Sequence, residues 1–239
     1  MAYPSITLCV IVKDEEKLLA GALESARGVV DQIVVVDTGS VDKSVEIAEA
    51  AGAKVVSHPW KGDFAAARNA ALGHVKTDWI LVLDADERLT SGAAEAIQAV
   101  ISTGGDFHCG MLPLHNASSL DAPFSDITDG KSRIGEPILL PRLLRMDSEL
   151  QWIGVVHESV GKWLGDGRKT QVVPAHIVHF GAVKEVIESK NKDLRNLSLL
   201  ERRCMTSPGD YVARTYLARE LERAGNRERA VAEIDRAWV

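Results

Sequence analysis

Two carboxylates, Asp84 and Asp86, stand two positions apart directly behind the apolar run Trp79-Ile80-Leu81-Val82-Leu83. Such a run, bounded by polar residues, reads as a strand buried on both faces, as in a parallel sheet. At the end of that strand both side chains would enter the crevice where open α/β sheets bind ligands. Carboxylates placed together repel unless a cation joins them, and hard divalent ions take oxygen ligands of this kind. The same residues allow a plainer reading, with Asp84 capping the next helix and Asp86 in a solvated turn. Asp37 closes another apolar run, Gln32 to Val36, and so faces the same crevice. Asp-Thr-Gly-Ser is good Asx-turn chemistry, and a carboxylate there is also an acceptor for a nucleobase. A bound anion beside these carboxylates requires a metal and cationic side chains. Arg68 can supply one such charge, bidentate to a phosphate or stacked on a base; otherwise it is an exposed helix arginine.

The segments that must position these groups alternate in pattern. Ile6 to Val12 is a first strand, followed by Lys13-Asp14-Glu15-Glu16 and a helix burying Leu18, Leu19, Ala22, Leu23 and Ala26. The strand ending at Asp37 leads to a helix that buries Val45, Ile47, Ala48 and Ala51 and stops at Gly52. Lys54 to Ser57 is a third strand, broken by His58-Pro59-Trp60. Asp63 can N-cap an Ala-rich helix to about Leu72, and the acidic strand follows. This alternation over residues 5–86 predicts a parallel α/β sheet with right-handed crossovers.

Beyond it, Thr90 or Ser91 is expected to cap a helix of roughly Gly92 to Ser102. Gly104 to Gly135 is rich in Gly, Ser, Asp and Pro around a strand-like Cys109 to Leu114, and a long irregular stretch in a compact domain is commonly functional. Ile138–Met146, Ile153–Val160 and Val172–Phe180 read as further strands, the last carrying His176 and His179. His58, His108, His115 and His176 read as ordinary structural or strand-end residues. From Lys184 the pattern is helical, with Ile187, Leu194, Leu197, Leu200 and Cys204 on one stripe and Lys190, Lys192, Arg195, Arg202 and Arg203 around it. Pro208 ends that helix. Shorter helices follow at about Asp210 to Ala224 and Arg227 to Trp238, joined at Gly225-Asn226. Their pattern resembles one tetratricopeptide unit, which cannot bury its own face alone, so it is expected either to pack on the preceding α/β domain or to be followed by further repeats. The apolar end Ala237-Trp238-Val239 is that of a chain expected to continue into further repeats. The division expected is residues 1–183 and 184–239.

A net charge of −6 argues against a general nucleic-acid binder, which would carry a basic stripe. No apolar run reaches the length of a membrane span, and the N-terminus shows no signal-peptide pattern, leaving peripheral membrane contact as an option. Cys9, Cys109 and Cys204 are widely spaced, which suits a reduced, cytoplasmic setting.

Four blocks in order, Ile6 to Glu16, Val34 to Asp42, Asp63 to Asn69 and Leu83 to Glu87, resemble glycosyltransferase family 2, enzymes with the GT-A fold and a D-x-D motif. Later blocks resemble the subgroup with tetratricopeptide-type helices after the transferase domain: Arg142 to Arg145, Trp152 to Glu158, Ile177 to Gly181 and Lys192 to Asn196. The resemblance implies a nucleotide-sugar donor, usually a UDP-sugar, with Val12 and Asp37 at the base and Arg68 against the nucleotide. It implies that Asp84 holds the ribose or reaches the metal through water. Asp86 would bind Mn²⁺ or Mg²⁺ on the diphosphate, with His179 as a further ligand or diphosphate contact. Where the family usually has an aromatic residue and Asn after the first strand, this chain has Lys13 and Asp14.

The chemistry implied is inverting hexosyl transfer to a hydroxyl on a glycan, lipid-linked or peptide acceptor. Glu158 is the candidate general base, with His157 orienting it or touching the acceptor; Asp126, Asp129 and Glu136 compete for the base role. The Gly104–Gly135 loop is expected to shape the acceptor pocket. A pyrophosphorylase would need a glycine-rich loop after the first strand, and a Rossmann dehydrogenase a G-x-G-x-x-G there; the sequence has neither. The remaining alternative is a non-catalytic scaffold with a degenerate transferase domain, binding a nucleotide or, through its helical tail, protein partners.

Overall fold

The first strand, β1 (Ile6–Val12), shows how the sheet is held: its alternate side chains serve two cores. Ile6, Leu8, Val10 and Val12 pack on one face with Leu19, Leu23, Ala48, Ile97 and Ile101, while Cys9 packs on the other with Val34, Ala67, Ala71 and Trp152. The computed structural model describes residues 4–165, 167–190 and 192–237. After β1 come α1 (Leu19–Ser25), β2 (Gln32–Asp37), α2 (Ser44–Ala50), β3 (Lys54–Ser57), α3 (Phe64–Leu72) and β4 (Trp79–Val82). These follow the predicted alternation, and β3, β2, β1 and β4 pair in that order, all parallel. Asp63 caps α3, its carboxylate accepting from the Ala66 N–H at 2.9 Å.

The second half inverts the sheet. It contains β5 (Glu87–Leu89), α4 (Ala93–Ser102), β6 (Cys109–Asn116), α5 (Phe124–Thr128), β7 (Ile138–Arg145), α6 (Gly161–Leu164), β8 (Thr170–Val172) and β9 (Ile177–His179). Beside β4 lies β7, antiparallel, then β6, β9 and β5, with β8 on the same edge of β6 as β9. Because β7 runs against β4, the chain from Asn116 to Ile138 lies at the end of the sheet where β1, β2 and β4 finish.

Several expectations need correction. Val172–Phe180 is not one strand: β8 and β9 are separated around Pro174, which has no N–H to give a ladder. Ile153–Val160 is a closed loop, because Gly154 at φ 104° and His157 at φ 55° leave the extended region. Its ends join by hydrogen bonds in both directions between Ile153 and Ser159, at 3.0 and 2.9 Å. Neither Thr90 nor Ser91 caps α4 with its side chain; Gly92, at φ 79°, is the N-cap. The strand β5, three residues directly after the acidic pair, was not expected; its apolar content is too small for a periodic signal. Much of the stretch expected to be irregular is β6 and α5.

The chain then forms α7 (Lys184–Lys190), α8 (Lys192–Thr206), α9 (Tyr211–Arg223) and α10 (Arg227–Ala237). The predicted stripe is shifted: Ile187 and Leu194 are exposed, while Leu199, Leu200 and Cys204 are buried. A third core joins these helices to the sheet domain, with Leu199, Leu200, Leu217 and Leu221 packing against Val156, Val155, Trp60 and Phe64. Gly62 permits this approach, since a Cβ there would stand 2.9 Å from Leu199 Cδ2. Trp238, expected to end the last helix, Val239 after it, and the side chains of Lys190 and Lys192 lie outside the described residues. Among the described residues no helix is long and apolar enough to cross a membrane.

Candidate active site

Parallel β1, β2 and β4 end side by side, with Val12 paired to Asp37 and Cys9 to Val82. The register therefore brings Val12, Asp37 and the Asp84–Asp86 segment to one edge. Val12 is buried, and its carbonyl accepts from both the backbone N–H and the hydroxyl of Thr38, each at 3.0 Å. Asp37 makes the Asx turn, its two oxygens accepting from Gly39 N at 3.1 Å and Ser40 N at 3.0 Å. A carboxylate has further acceptor sites beyond these two, so the turn does not consume the group. Lys13 and Asp14 tie this turn to the loop after β1. Asp14, at φ 55°, accepts from Val41 N at 2.8 Å and donates its own N–H to Ser40 Oγ at 3.0 Å.

At the centre is Arg68, on the inward face of α3 and only 9% exposed. Its Nη2 donates to Asp84 Oδ1 at 2.9 Å and its Nε to Glu158 Oε1 at 2.6 Å, and its guanidinium lies 5.1 Å from the centre of the Trp152 ring. Burial alone would make the cation less stable; Asp84 and Glu158 outweigh it and hold Arg68 above the usual arginine range. The exposed-helix reading of Arg68 is thereby excluded. Asn69 fixes the same loop from α3, donating to Trp152 O and accepting from Trp152 N, both at 2.9 Å.

The charge chain continues through residues that sequence reasoning did not single out. Arg142 of β7 approaches Asp84 Oδ2 at 3.4 Å and donates a closer hydrogen bond to buried Glu87. Glu87 also accepts the Asp84 N–H at 3.0 Å. Burial favours a protonated Asp84, but Arg68 and Arg142 hold its carboxyl well below the usual range. Glu87 goes the other way: burial, reinforced by Asp84 and Asp86, pushes it up to about 8 against the pull of Arg142. Arg88, beside them, is lowered to about 10 by burial, while Asp86 and Glu15 favour its charge. The available signal for Arg142 was a cation between apolar residues in the interior of the strand Ile138–Arg145.

Asp86 is buried, with its Oδ1 3.6 Å from His179 Nε2, and His179 Nδ1 is held by Asn116 Oδ1 at 2.7 Å. The expected set of Asp84, Asp86 and His179 does not form one three-ligand cluster: among the described residues no three metal-ligating side chains converge. The oxygens of Asp84 point instead at Arg68 and Arg142. Asp86 and His179 do fit an ion. Cis ligands at about 2.1 Å from an octahedral cation stand about 3 Å apart, so the pair needs only a small closure. Phosphate oxygens and water would supply the other positions, as is usual for such ions.

Glu158 belongs to this cluster, and its Oε2 has no hydrogen bond among the described residues. His157 makes its contacts elsewhere, stacking on Tyr216 of α9 at 4.2 Å and placing Nε2 3.5 Å from Glu220. Of the competing bases, Asp126 and Asp129 pair with Lys131, and Glu136 with Arg133, in exposed positions. His115 and His176 bond to each other at 2.8 Å, joining β6 to the residue before β9.

The family model described as "Glycosyl transferase family 2" matches residues 7–159. A TPR repeat-containing protein of Synechococcus elongatus is 50% identical over 88 residues, 37% of this chain and 22% of that protein. An uncharacterized glycosyltransferase of Rickettsia bellii is 38% identical over 98 residues, 41% of this chain and 33% of its own. Glycosyltransferase SunS of Bacillus subtilis aligns along 95% of this chain and 52% of its own length at 24% identity. The chain thus spans from about a fifth to about half of these relatives. Among solved structures, S. aureus TarS 1-349 superposes with a TM-score of 0.54 at 15% identity, covering 91% of this chain and 70% of that one. With its strand-end carboxylates, its mixed sheet and a family match over most of its length, the chain belongs to glycosyl transferase family 2 and has the GT-A fold.

Proposed function

We propose that this chain is a metal-dependent, inverting hexosyltransferase that uses a UDP-sugar donor and a hydroxyl acceptor on a glycan, lipid-linked or peptide substrate. The observation that carries this reading is the convergence of Asp84, at a strand end, and Glu158, from a distant loop, on the single buried guanidinium of Arg68. The base would lie at Val12 and Asp37, on the turn that Lys13 and Asp14 brace, with the ribose at Asp84. Asp86 and His179 would hold Mn²⁺ or Mg²⁺; the imidazole favours Mn²⁺, the softer of the two. When bound, such an ion draws charge from the departing diphosphate as a Lewis acid.

Glu158 acts at the other end of the displacement. The acceptor oxygen forms its bond to the anomeric carbon as the bond to the diphosphate oxygen breaks, and the acceptor proton passes to Glu158 Oε2. A single displacement of this kind inverts the anomeric centre. Arg68 Nε holds Oε1 of Glu158 at 2.6 Å and so leaves Oε2 turned to the acceptor. The reduced, buried Cys9, Cys109 and Cys204 suit a cytoplasmic location, and α9 with α10 forms a tetratricopeptide-like pair. The test is a panel of nucleotide sugars incubated with Mn²⁺ and followed for nucleotide release. One UDP-hexose should be hydrolysed above background and raise the melting temperature. Neither release nor stabilisation with any nucleotide sugar would overturn the reading.

A further inference from the structure

The loop from Ile153 to Ser159 is gripped on two sides. On the inner side α3 holds it through the Asn69–Trp152 pair, the Phe64 N–H to Val155 O bond at 3.1 Å, and the Arg68–Glu158 ion pair. On the outer side the C-terminal helices hold it: Val156 is buried among Leu199, Leu200 and Leu217, and His157 stacks on Tyr216. His157 sits at φ 55°, which a side chain adopts only when its surroundings hold it there. What holds it comes from α9, the Tyr216 ring and the buried carboxylate of Glu220, which Arg223 also engages at 3.1 Å. The next residue in the chain is Glu158. In α8, Arg195 lies 5.0 Å above the Phe64 ring, with its charge felt by Glu15 and Glu158.

We propose that the C-terminal helices are part of the catalytic apparatus: α9 acts through His157, a positioning residue, to hold Glu158 in line for proton transfer. This rests on the reading of Glu158 as the base. The helices are then more than an appended module, because a partner or deformation that moves α9 would change turnover without touching the donor site. A base displaced by an ångström loses much of its effect although donor contacts persist.

Three variants test this: Tyr216→Leu keeps apolar volume without the ring, Tyr216→Phe keeps the ring, and His157→Gly accepts the same φ without the contacts. The readouts are UDP-glucose hydrolysis with Mn²⁺ and amide exchange at Ile153 and Ser159. Tyr216→Leu and His157→Gly should lower kcat by roughly 10- to 100-fold with donor KM unchanged, and Tyr216→Phe should restore it. In both impaired variants the two loop amides should exchange about tenfold faster, while Leu8 in β1 remains protected. Loop exchange and kcat equal to wild type in Tyr216→Leu and His157→Gly would overturn the proposal, as would a parallel loss of Leu8 protection and donor binding. If the wild-type chain hydrolyses no UDP-glucose, loop exchange alone decides whether α9 holds the loop, and the failure falls on the donor assignment.

Discussion

The two halves of the sheet do different work and were built by different rules. In β1 to β4 every strand is parallel; Asp37 closes β2, and Asp84 and Asp86 both follow the end of β4. In β5 to β9 the directions mix, and the side chains that matter, Arg142, Glu158 and His179, reach the site from long range. The first half is a receptacle whose chemistry is local in the chain. The second half closes it by contacts such as Arg68–Glu158, 90 residues apart, and Arg142–Glu87, 55 apart. On the proposed function, the donor side is set by strand-end position, whereas the reacting side depends on tertiary packing.

That division can be broken most sharply at Glu158. Glu158→Gln should lower transfer by about 10²- to 10⁴-fold, the usual worth of a general base, while UDP binding stays at the wild-type level. A loss of UDP binding along with transfer would show that the two halves do not separate. Arg68 is where they meet, so Arg68→Gln should damage both. Glu158 would lose its cation and Asp84 the nearer of its two, at a cost of about 3 kcal/mol, the lower end for a broken buried pair because Asp84 keeps Arg142 and 39% of its side chain is exposed. Urea denaturation measures this directly, and a stability equal to wild type would mean the pair contributes nothing.

A smaller effect separates Asp84 from Glu87. Glu87 is raised to about 8 on folding, so the folded chain retains a proton that the unfolded chain gives up above about pH 4.3. Stability should therefore fall as pH rises through that window, and Glu87→Gln should flatten the fall. Asp84 has the opposite sign. Its lowered pKa contributes stability that is present above about pH 4 and is lost as acid protonates it. Asp84→Asn should remove that acid-side loss. Denaturation midpoints at pH 3, 5 and 8 distinguish the two residues.

How much of this was legible in the sequence follows the same division. Strand β3 and the cap at Asp63 fall where periodicity and capping chemistry put them, because both signals are contained in a few neighbouring residues. The loop around Glu158 carries a strand-like pattern because Ile153, Val155 and Val156 are β-formers; the positive φ of His157 and its stacking on Tyr216 of α9 have no local signature. Glu87 and Arg142 went unnoticed for a similar reason, since a charge in an apolar strand acquires meaning only when its partner is placed. The shifted stripe on α8 has the same origin: which face is buried is decided by Val156 and Phe64 rather than by the helix itself.

Asp86 and His179, the proposed cation-binding pair, are tested most directly by calorimetry of UDP with the wild-type chain and Asp86→Asn. UDP should bind the wild-type chain in Mn²⁺ at least about tenfold more tightly than in EDTA, and Asp86→Asn should remove that difference while its melting temperature stays near wild type. Equal UDP affinity with and without Mn²⁺ in the wild-type chain, or an undiminished Mn²⁺ effect in Asp86→Asn, would contradict it.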